Sequence, residues 1–264
     1  MFKKIKLWLA FATFFISFNS FGWGITGHRV VAEIAQHHLT AKAKTELKKL
    51  IGKGDLALWA NWPDFIKSDT THQWDSASKW HYVDVQGNLS KDSFIIALKD
   101  LPGKNLYTQI QEMIKELKNR SLPLKQRQIA LRFLIHFIGD LHQPLHVGRP
   151  EDEGGNKITV YWFDRKTNLH SVWDGALIDF QQYSYTEYAK QIDIAGTSEE
   201  NKWKKSSLED CFYESHIMAD KIYSLTPAES KLSYRYNYIF KTDLDNQLLK
   251  GGIRLAQILN KIFE

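Results

Sequence analysis

Cysteine is almost missing from this chain: Cys211 is the only one in 264 residues. A single thiol excludes an intramolecular disulfide and a cysteine-rich zinc site. An exported protein of this kind must be held by its core, by bound metal, or by both. Long apolar runs are scarce as well. The one present, Leu7 to Phe18, has 12 residues, short of the roughly 20 that a membrane-spanning helix needs. Lys3, Lys4 and Lys6 precede it, and Ser20 and Gly22 stand at −3 and −1 relative to a cut before Trp23. This pattern predicts a signal peptide over residues 1–22 and a soluble mature protein that is secreted or periplasmic. Repeats and low-complexity linkers are absent from the sequence. Excess charge is missing too. The chain has 35 Lys+Arg against 30 Asp+Glu, and without the leader's three lysines the balance is 32 against 30. The basic isoelectric point is thus partly a property of the leader and argues little for a polyanionic partner.

What remains reads as helix. The 242 residues after the leader suffice for one sizeable core. Val30 to Leu39 has apolar residues at helical intervals, and Thr40 is placed to cap a helix over 41–51. Asp55 is expected to cap a short helix through Trp59, and Leu106 to Lys118 carries an amphipathic stripe. The strongest helix spans Leu124 to Leu141, with Pro144 as its stop. Lys157 to Phe163 alternates like a strand and is expected to form a hairpin with Asn168 to Ser171. Helices resume near Val172 and run over 208–223 and 234–263. The fold class is therefore mainly α, one domain over residues 23–264, with a minor β-hairpin.

The abundant chemistry is histidine with aspartate. His136…Asp140 and His170…Asp174 share one spacing. On a helix, side chains at i and i+4 face the same way about 5–6 Å apart, so each pair can converge on one ion. His136 and Asp140 lie on the apolar side of the strongest helix, where an ionised carboxylate is costly unless paired or metal-bound. His146 follows a turn made by Gln143-Pro144-Leu145, and Asp64 and His81 stand within Trp62-Pro63-Asp64 and Trp80-His81-Tyr82. At the start of the mature chain, Trp23 precedes His28. A free α-amino group has a pKa of about 7.7–8.0, so protons compete weakly with zinc for it at neutral pH. The Trp23 amine and carbonyl can then chelate a metal with the His28 imidazole, or Trp23 is simply an aromatic in a Gly-rich start. His37, His38, His72 and His216 read as surface or packing residues, and the helical phase of His142 points away from His136. Imidazole and carboxylate together suit zinc and leave coordination positions open for hydrolysis.

Trp23-x4-His28, Trp62-Pro63-Asp64-x2-Lys67, Trp80-His81-Tyr82-x-Asp84 and His136-Phe137-Ile138-Gly139-Asp140-x2-Gln143-Pro144-Leu145-His146 occur in this order, followed by Gly154-Gly155-Asn156 and His170-x2-Trp173-Asp174. Together they resemble the trinuclear-zinc type I nucleases, the S1/P1 nuclease family. The resemblance runs over essentially the whole mature chain. It implies a helical phospholipase C/single-strand nuclease-like fold and about three zinc ions. One ion would be held by Asp64, His81, His136 and Asp140. A second would use His146, His170 and Asp174. A third would use the Trp23 amine and carbonyl, His28 and the other oxygen of Asp140. It further implies hydrolysis of single-stranded DNA and RNA, with duplexes accepted by many members, through metal-activated hydroxide. The products would be 5′-phosphorylated, 3′-nucleotides would also be substrates, and the protein is expected to be a monomer. Asp64 would orient the water and Lys67 would offset charge on the phosphoryl group. Tyr82 and Asp84 match positions lining a base pocket. Asn156 matches a phosphate-side position, or is a turn residue after two glycines. The loop Val147 to Glu153 departs from the fungal pattern by one extra residue and by the acids Glu151, Asp152 and Glu153, and the disulfides of plant and fungal relatives are absent. Two alternatives stand beside this reading: a zinc phospholipase C and a non-catalytic secreted zinc-binding protein. The close Trp23–His28 spacing, Asp174 in place of Glu and the long segment from His146 to His170 point away from the phospholipase. Lys67 beside Asp64 favours catalysis.

Overall fold

Four long helices make the frame. The computed structural model describes residues 23–264; the expected leader, residues 1–22, lies outside them. The first helix, α1 (Ile25–His37), begins five residues earlier than the apolar pattern suggested, because Gly24 rather than a polar cap precedes it. That earlier start puts His28 inside the helix. Thr40 caps α2 (Ala41–Ile51) by accepting from the Ala43 amide at 3.1 Å, as its position predicted. Asp55 does not cap α3 (Leu56–Trp59) through its side chain. The Gln36 side chain does so from α1, accepting the Leu56 amide at 3.0 Å while donating to Asp55 at 3.1 Å. A long-range partner has displaced the local one.

A short α4 (Trp62–Phe65), a 3₁₀ turn over 66–68 and another over 75–81 lead to α5 (Lys91–Asp100) and α6 (Leu106–Lys118). Next comes α7 (Leu124–His142), which ends one residue before the Gln143-Pro144 turn. Its second half is buried on every side: each residue from Phe133 to His142 is shielded from water. An all-round buried helix occupies the centre of a protein. Around α7 pack α1, α6 and the 30-residue α13 (Tyr234–Phe263). A Cβ on Gly252 would lie 2.5 Å from Ile34 Cβ, so α13 reaches α1 this closely only with glycine there.

The β element is smaller than expected and differently placed. β1 (Thr159–Trp162) pairs antiparallel with β2 (Arg165–Asn168), not with 168–171. The turn residues Phe163 and Asp164 have φ of 48° and 63°, the left-handed pair that a tight two-residue hairpin requires. Asn168 closes the hairpin and also caps α8 (Leu169–Ser171), accepting from the Ser171 amide at 2.7 Å. A two-residue β3 (Lys231–Leu232) joins β1 in parallel. From α8 the chain passes straight into a π-helical turn over Val172–Ala176 and on to α9 (Leu177–Asp179). After it come α10 (Tyr185–Ile192), α11 (Thr197–Lys205) and α12 (Leu208–Leu225). The architecture is mainly α with one small sheet. Among the described residues no helix is long and apolar enough to cross a membrane.

Candidate metal centre

Every His and Asp singled out for metal binding lies in one region, and all are buried. The side chains come from five places: α1 (His28), α4 (Asp64), the 3₁₀ turn over 75–81 (His81), α7 and its following turn (His136, Asp140, His146), and the α8–π segment (His170, Asp174). Three groups have one ligand atom per residue all within 4.8 Å of each other: His28 with His136 and Asp140, Asp64 with His81 and His136, and His146 with His170 and Asp174.

Tautomers are set by the backbone. His136 Nδ1 donates to the Ala60 carbonyl at 2.7 Å, His146 Nδ1 to the His81 carbonyl at 2.7 Å, and His170 Nδ1 to the Gly154 carbonyl at 2.6 Å. A neutral imidazole has one N–H, so in its neutral form each of these rings presents Nε2 as a lone pair. All three Nε2 atoms face the cluster. His136 Nε2 lies 3.0 Å from His81 Nδ1, 3.3 Å from Asp140 Oδ2 and 3.6 Å from Asp64 Oδ1. His81 Nδ1 is 2.9 Å from Asp140 Oδ2 and 3.8 Å from Asp64 Oδ1. A tetrahedral zinc with legs of 2.0–2.2 Å has ligand–ligand edges of about 3.3–3.6 Å. These separations, 2.9–3.8 Å, straddle that range.

Asp140 divides its oxygens. Oδ2 faces His81 and His136, whereas Oδ1 lies 3.4 Å from His28 Nε2 and 3.5 Å from His146 Nδ1. In the remaining group, His146 Nε2 is 3.5 Å from Asp174 Oδ1 and His170 Nε2 is 3.2 Å from Asp174 Oδ2. Several of these buried atoms make no hydrogen bond: both nitrogens of His28, Nε2 of His81, Nε2 of His146 and Oδ1 of Asp140. Buried polar atoms are nearly always satisfied, and leaving one unpaired costs about 1–3 kcal/mol. Their concentration in one place suits cation binding. The donor set therefore fits metal ions, His and Asp together.

Electrostatics agree. Burial opposes ionisation of Asp140, yet the facing imidazoles, led by His136 and His146, hold its carboxyl well below the usual range. Asp174 is likewise lowered against its burial by His170 and His146, and Asp64 by His136 and Lys67. Burial pushes His136 down to about 3, so it stays neutral and able to bind metal. His146 goes the other way, up to about 9, because Asp140 and Asp174 outweigh burial. Five of these groups are thus shifted by burial and by one another.

Trp23 is fully buried, and the Gly24 amide donates to the Asp174 carbonyl, which fixes the start of the described chain beside the third group. Gly139 explains how α1 comes so near α7: a Cβ there would lie 2.5 Å from His28 Nδ1. The His28 and His136 rings stack with centroids 3.7 Å apart.

A cleft of about 170 Å³ opens on this cluster, lined among others by Lys67, Tyr82, Asp84, Glu153, Asn156 and His170. A larger groove of about 740 Å³, between Trp80, Met113 and Phe133, touches none of the His/Asp groups; His81, His146 and His170 line the smaller one. Lys67 Nζ donates to Asp64 Oδ1 at 2.7 Å. Burial raises Asp84 to about 6, against the pull of His170 and His146. The Asn156 amide donates to the Glu153 carbonyl at 2.9 Å while the residue also lines the cleft, so its turn role and its cleft position coexist. The three loop acids behave differently from each other. Asp152 turns inward, accepting from the Gly155 amide at 2.6 Å and the Tyr223 hydroxyl at 2.9 Å, whereas Glu153 faces the cleft.

Of the histidines set aside, His142 is buried with Nδ1 on the Ile138 carbonyl and Nε2 3.0 Å from Arg254, away from the cluster as its phase indicated. His216 is a packing residue beside Phe94. His38 pairs with Asp193 at 2.8 Å. Gln143, whose side chain touches Asp174, was read only as part of a turn; its polar character next to a proline inside an otherwise apolar stretch was the available signal.

A single helical domain gathers His and Asp side chains into three adjoining groups that could each hold a metal ion. The comparisons place it more closely: residues 23–264 match the S1/P1 Nuclease family, and the chain belongs to it. It is 32% identical to Endonuclease 4 of Arabidopsis thaliana over 91% of this chain and 89% of that protein. Identity to Endonuclease 2 of the same plant is 30%, over 98% and 95% of the two chains. Nuclease P1 of Penicillium citrinum is 28% identical over 91% of this chain and 97% of its own length.

Proposed function

We propose that this member of a nuclease family is a zinc-dependent phosphodiesterase that hydrolyses single-stranded DNA and RNA to 5′-phosphorylated products and removes phosphate from 3′-nucleotides. The observation that carries the reading is the set of buried, unpaired ligand atoms on His28, His81, Asp140 and His146 around three adjoining groups. Zinc is favoured because the donors are imidazole nitrogen and carboxylate oxygen at tetrahedral spacing. Bound there, about three zinc ions would supply Lewis acidity and lower the pKa of water toward about 7.

The chain's own residues do the rest. Asp64, ionised beside Lys67, holds an acceptor at the cleft edge where a water proton would be orientated or taken. Lys67 lines the cleft and brings positive charge to a phosphoryl group. Tyr82, 39% exposed at the cleft wall, offers a ring face that stacks any unpaired base. Asp84 accepts from an exocyclic amine when ionised. A stacked duplex base cannot enter without first leaving its neighbours, which favours single strands. Asn156 lies on the phosphate side of the same cleft. The third zinc would use the Trp23 amine, which exists only after a cut before that residue; the basic start and the short apolar run of residues 1–22 support a leader there and an exported enzyme.

Parallel assays on single-stranded DNA, RNA and phosphatidylcholine, with metal analysis of the same preparation, test this. Nucleic-acid cleavage with about three zinc ions per chain is expected. Lipid cleavage alone, or zinc without any hydrolysis, would overturn it. For Trp23, a leaderless protein with an added Met is expected to bind one zinc fewer than the authentic mature chain; equal zinc would refute amine ligation.

A further inference from the structure

Gln143 is buried, and both ends of its side-chain amide are used. Oε1 accepts from the Leu145 amide at 2.6 Å. That backbone group can only donate, so the oxygen must face it and the NH₂ must face the other way. There it donates to Asp174 Oδ1. The residue's own carbonyl accepts from the His146 amide at 2.9 Å. One residue therefore fixes the turn that carries His146 and the carboxylate that His146 faces, although the two ligands come from segments 28 positions apart in sequence.

We propose that Gln143 is a positioning residue of the His146–His170–Asp174 group. Asp174 sits on the π-helical turn over Val172–Ala176, next to the end of a three-residue helix. This short, irregular support does not by itself hold a carboxylate rotamer. Its oxygens lie 3.5 Å from His146 Nε2 and 3.2 Å from His170 Nε2, so a modest rotation would take one oxygen out of reach. A neutral amide donor prevents that rotation while leaving the carboxylate charged and still able to bind a cation. An Arg or Lys in its place would compete with the cation for charge. Hydrogen-bond partners of metal ligands commonly change affinity about 10–100-fold when removed.

This inference rests on the reading that the group holds zinc, and its test separates the two. Gln143→Met keeps length and flexibility but removes both hydrogen-bonding ends. Zinc is withdrawn from wild-type, Gln143→Met and His170→Ala proteins by graded chelator, and the release step missing from His170→Ala identifies the group. The expected result is zinc bound about 10–100-fold more weakly at that step in Gln143→Met, with the other steps shifted less than about twofold and the Leu145 amide exchanging faster with solvent. Gln143→Asn, one methylene too short to reach both partners, is expected to show the same selective loss if Gln143→Met does not fold. Unchanged release, or equal weakening at every step, would overturn the positioning role alone. Absence of zinc from the wild-type protein would overturn the parent reading and this one with it.

Discussion

Asp140 is the residue on which most of the site converges. It is fully buried, its two oxygens face different ligand groups, and one of them has no hydrogen bond. Asp64 sits at the cleft edge beside Lys67 and faces one group only. Asn in place of Asp keeps the shape but removes charge and basicity. Asp64→Asn is expected to lower turnover by at least roughly 10²-fold while most zinc stays bound. Asp140→Asn is expected to lower it further and to lose zinc from two groups. Zinc content and nuclease rate measured on both variants decide this; full zinc and near-normal turnover in Asp140→Asn would mean that it does not bridge.

Helices supply positions, and their packing decides whether those positions meet. α1 brings His28 against α7 only because residue 139 has no side chain. Gly→Ala in an exposed helix interior normally adds about 1 kcal/mol of stability. Here the new methyl would press on His28 Nδ1 at 2.5 Å, and overpacking of this kind costs about 1–3 kcal/mol. Gly139→Ala is therefore expected to lower stability in urea and to reduce zinc at the His28 group. A stabilised variant with full zinc would show that the helices part without cost. The opposite case is α10, whose Ser184 and Glu187 form a reciprocal capping box. None of its residues line the cleft. Ser184→Ala is expected to cost about 0.5–2 kcal/mol and leave nuclease turnover unchanged, measured by denaturation and by rate on the same sample. α2 is legible in the sequence from its Thr40 cap and α6 and α7 from apolar spacing, whereas α10 goes unread despite its Ser-x-x-Glu. The π turn under Asp174 is not legible either: a His-x-x-x-Asp spacing fits a regular helix as well as a widened one.

Charge balance belongs to the whole molecule, because the site draws ligands from α1 to the π turn. Without metal, the depressed Asp140 and Asp174 contribute stability above their unfolded pKa values, and this is lost as pH falls through their lowered folded values. His136, lowered to about 3, resists protonation that the unfolded chain accepts near 6.5, so stability falls as pH drops from there toward 3. His146, raised to about 9, contributes stability that is complete below its unfolded value and lost as pH rises through 9. The chelated protein is thus expected to be most stable near pH 6.5, declining on both sides. With zinc bound, His146 would be held as the neutral imidazole, its second proton released to solvent, and the decline toward pH 9 should disappear. Melting temperatures across pH 4–10, with and without chelator, read this directly; an alkaline decline that persists with full zinc would argue against His146 as a ligand.

Residue chemistry and apolar period are local properties, and the kinds of ligand, their order and the helices that carry most of them follow from these alone. A lone cysteine likewise excludes an intramolecular disulfide, and Cys211 is a free thiol buried in the core. The resemblance implied which ligands share a group and that Asp140 divides its oxygens, whereas the inward turn of Asp152 and the replacement of Asp55 by Gln36 as a cap emerge only in three dimensions. Each of these two depends on groups far apart in the chain being brought within a few ångströms by tertiary packing. No local pattern carries that distance. Gln143 shows the limit most clearly: its neighbours in sequence made it part of a turn, and its neighbour in space, Asp174, gives it a role at the metal centre.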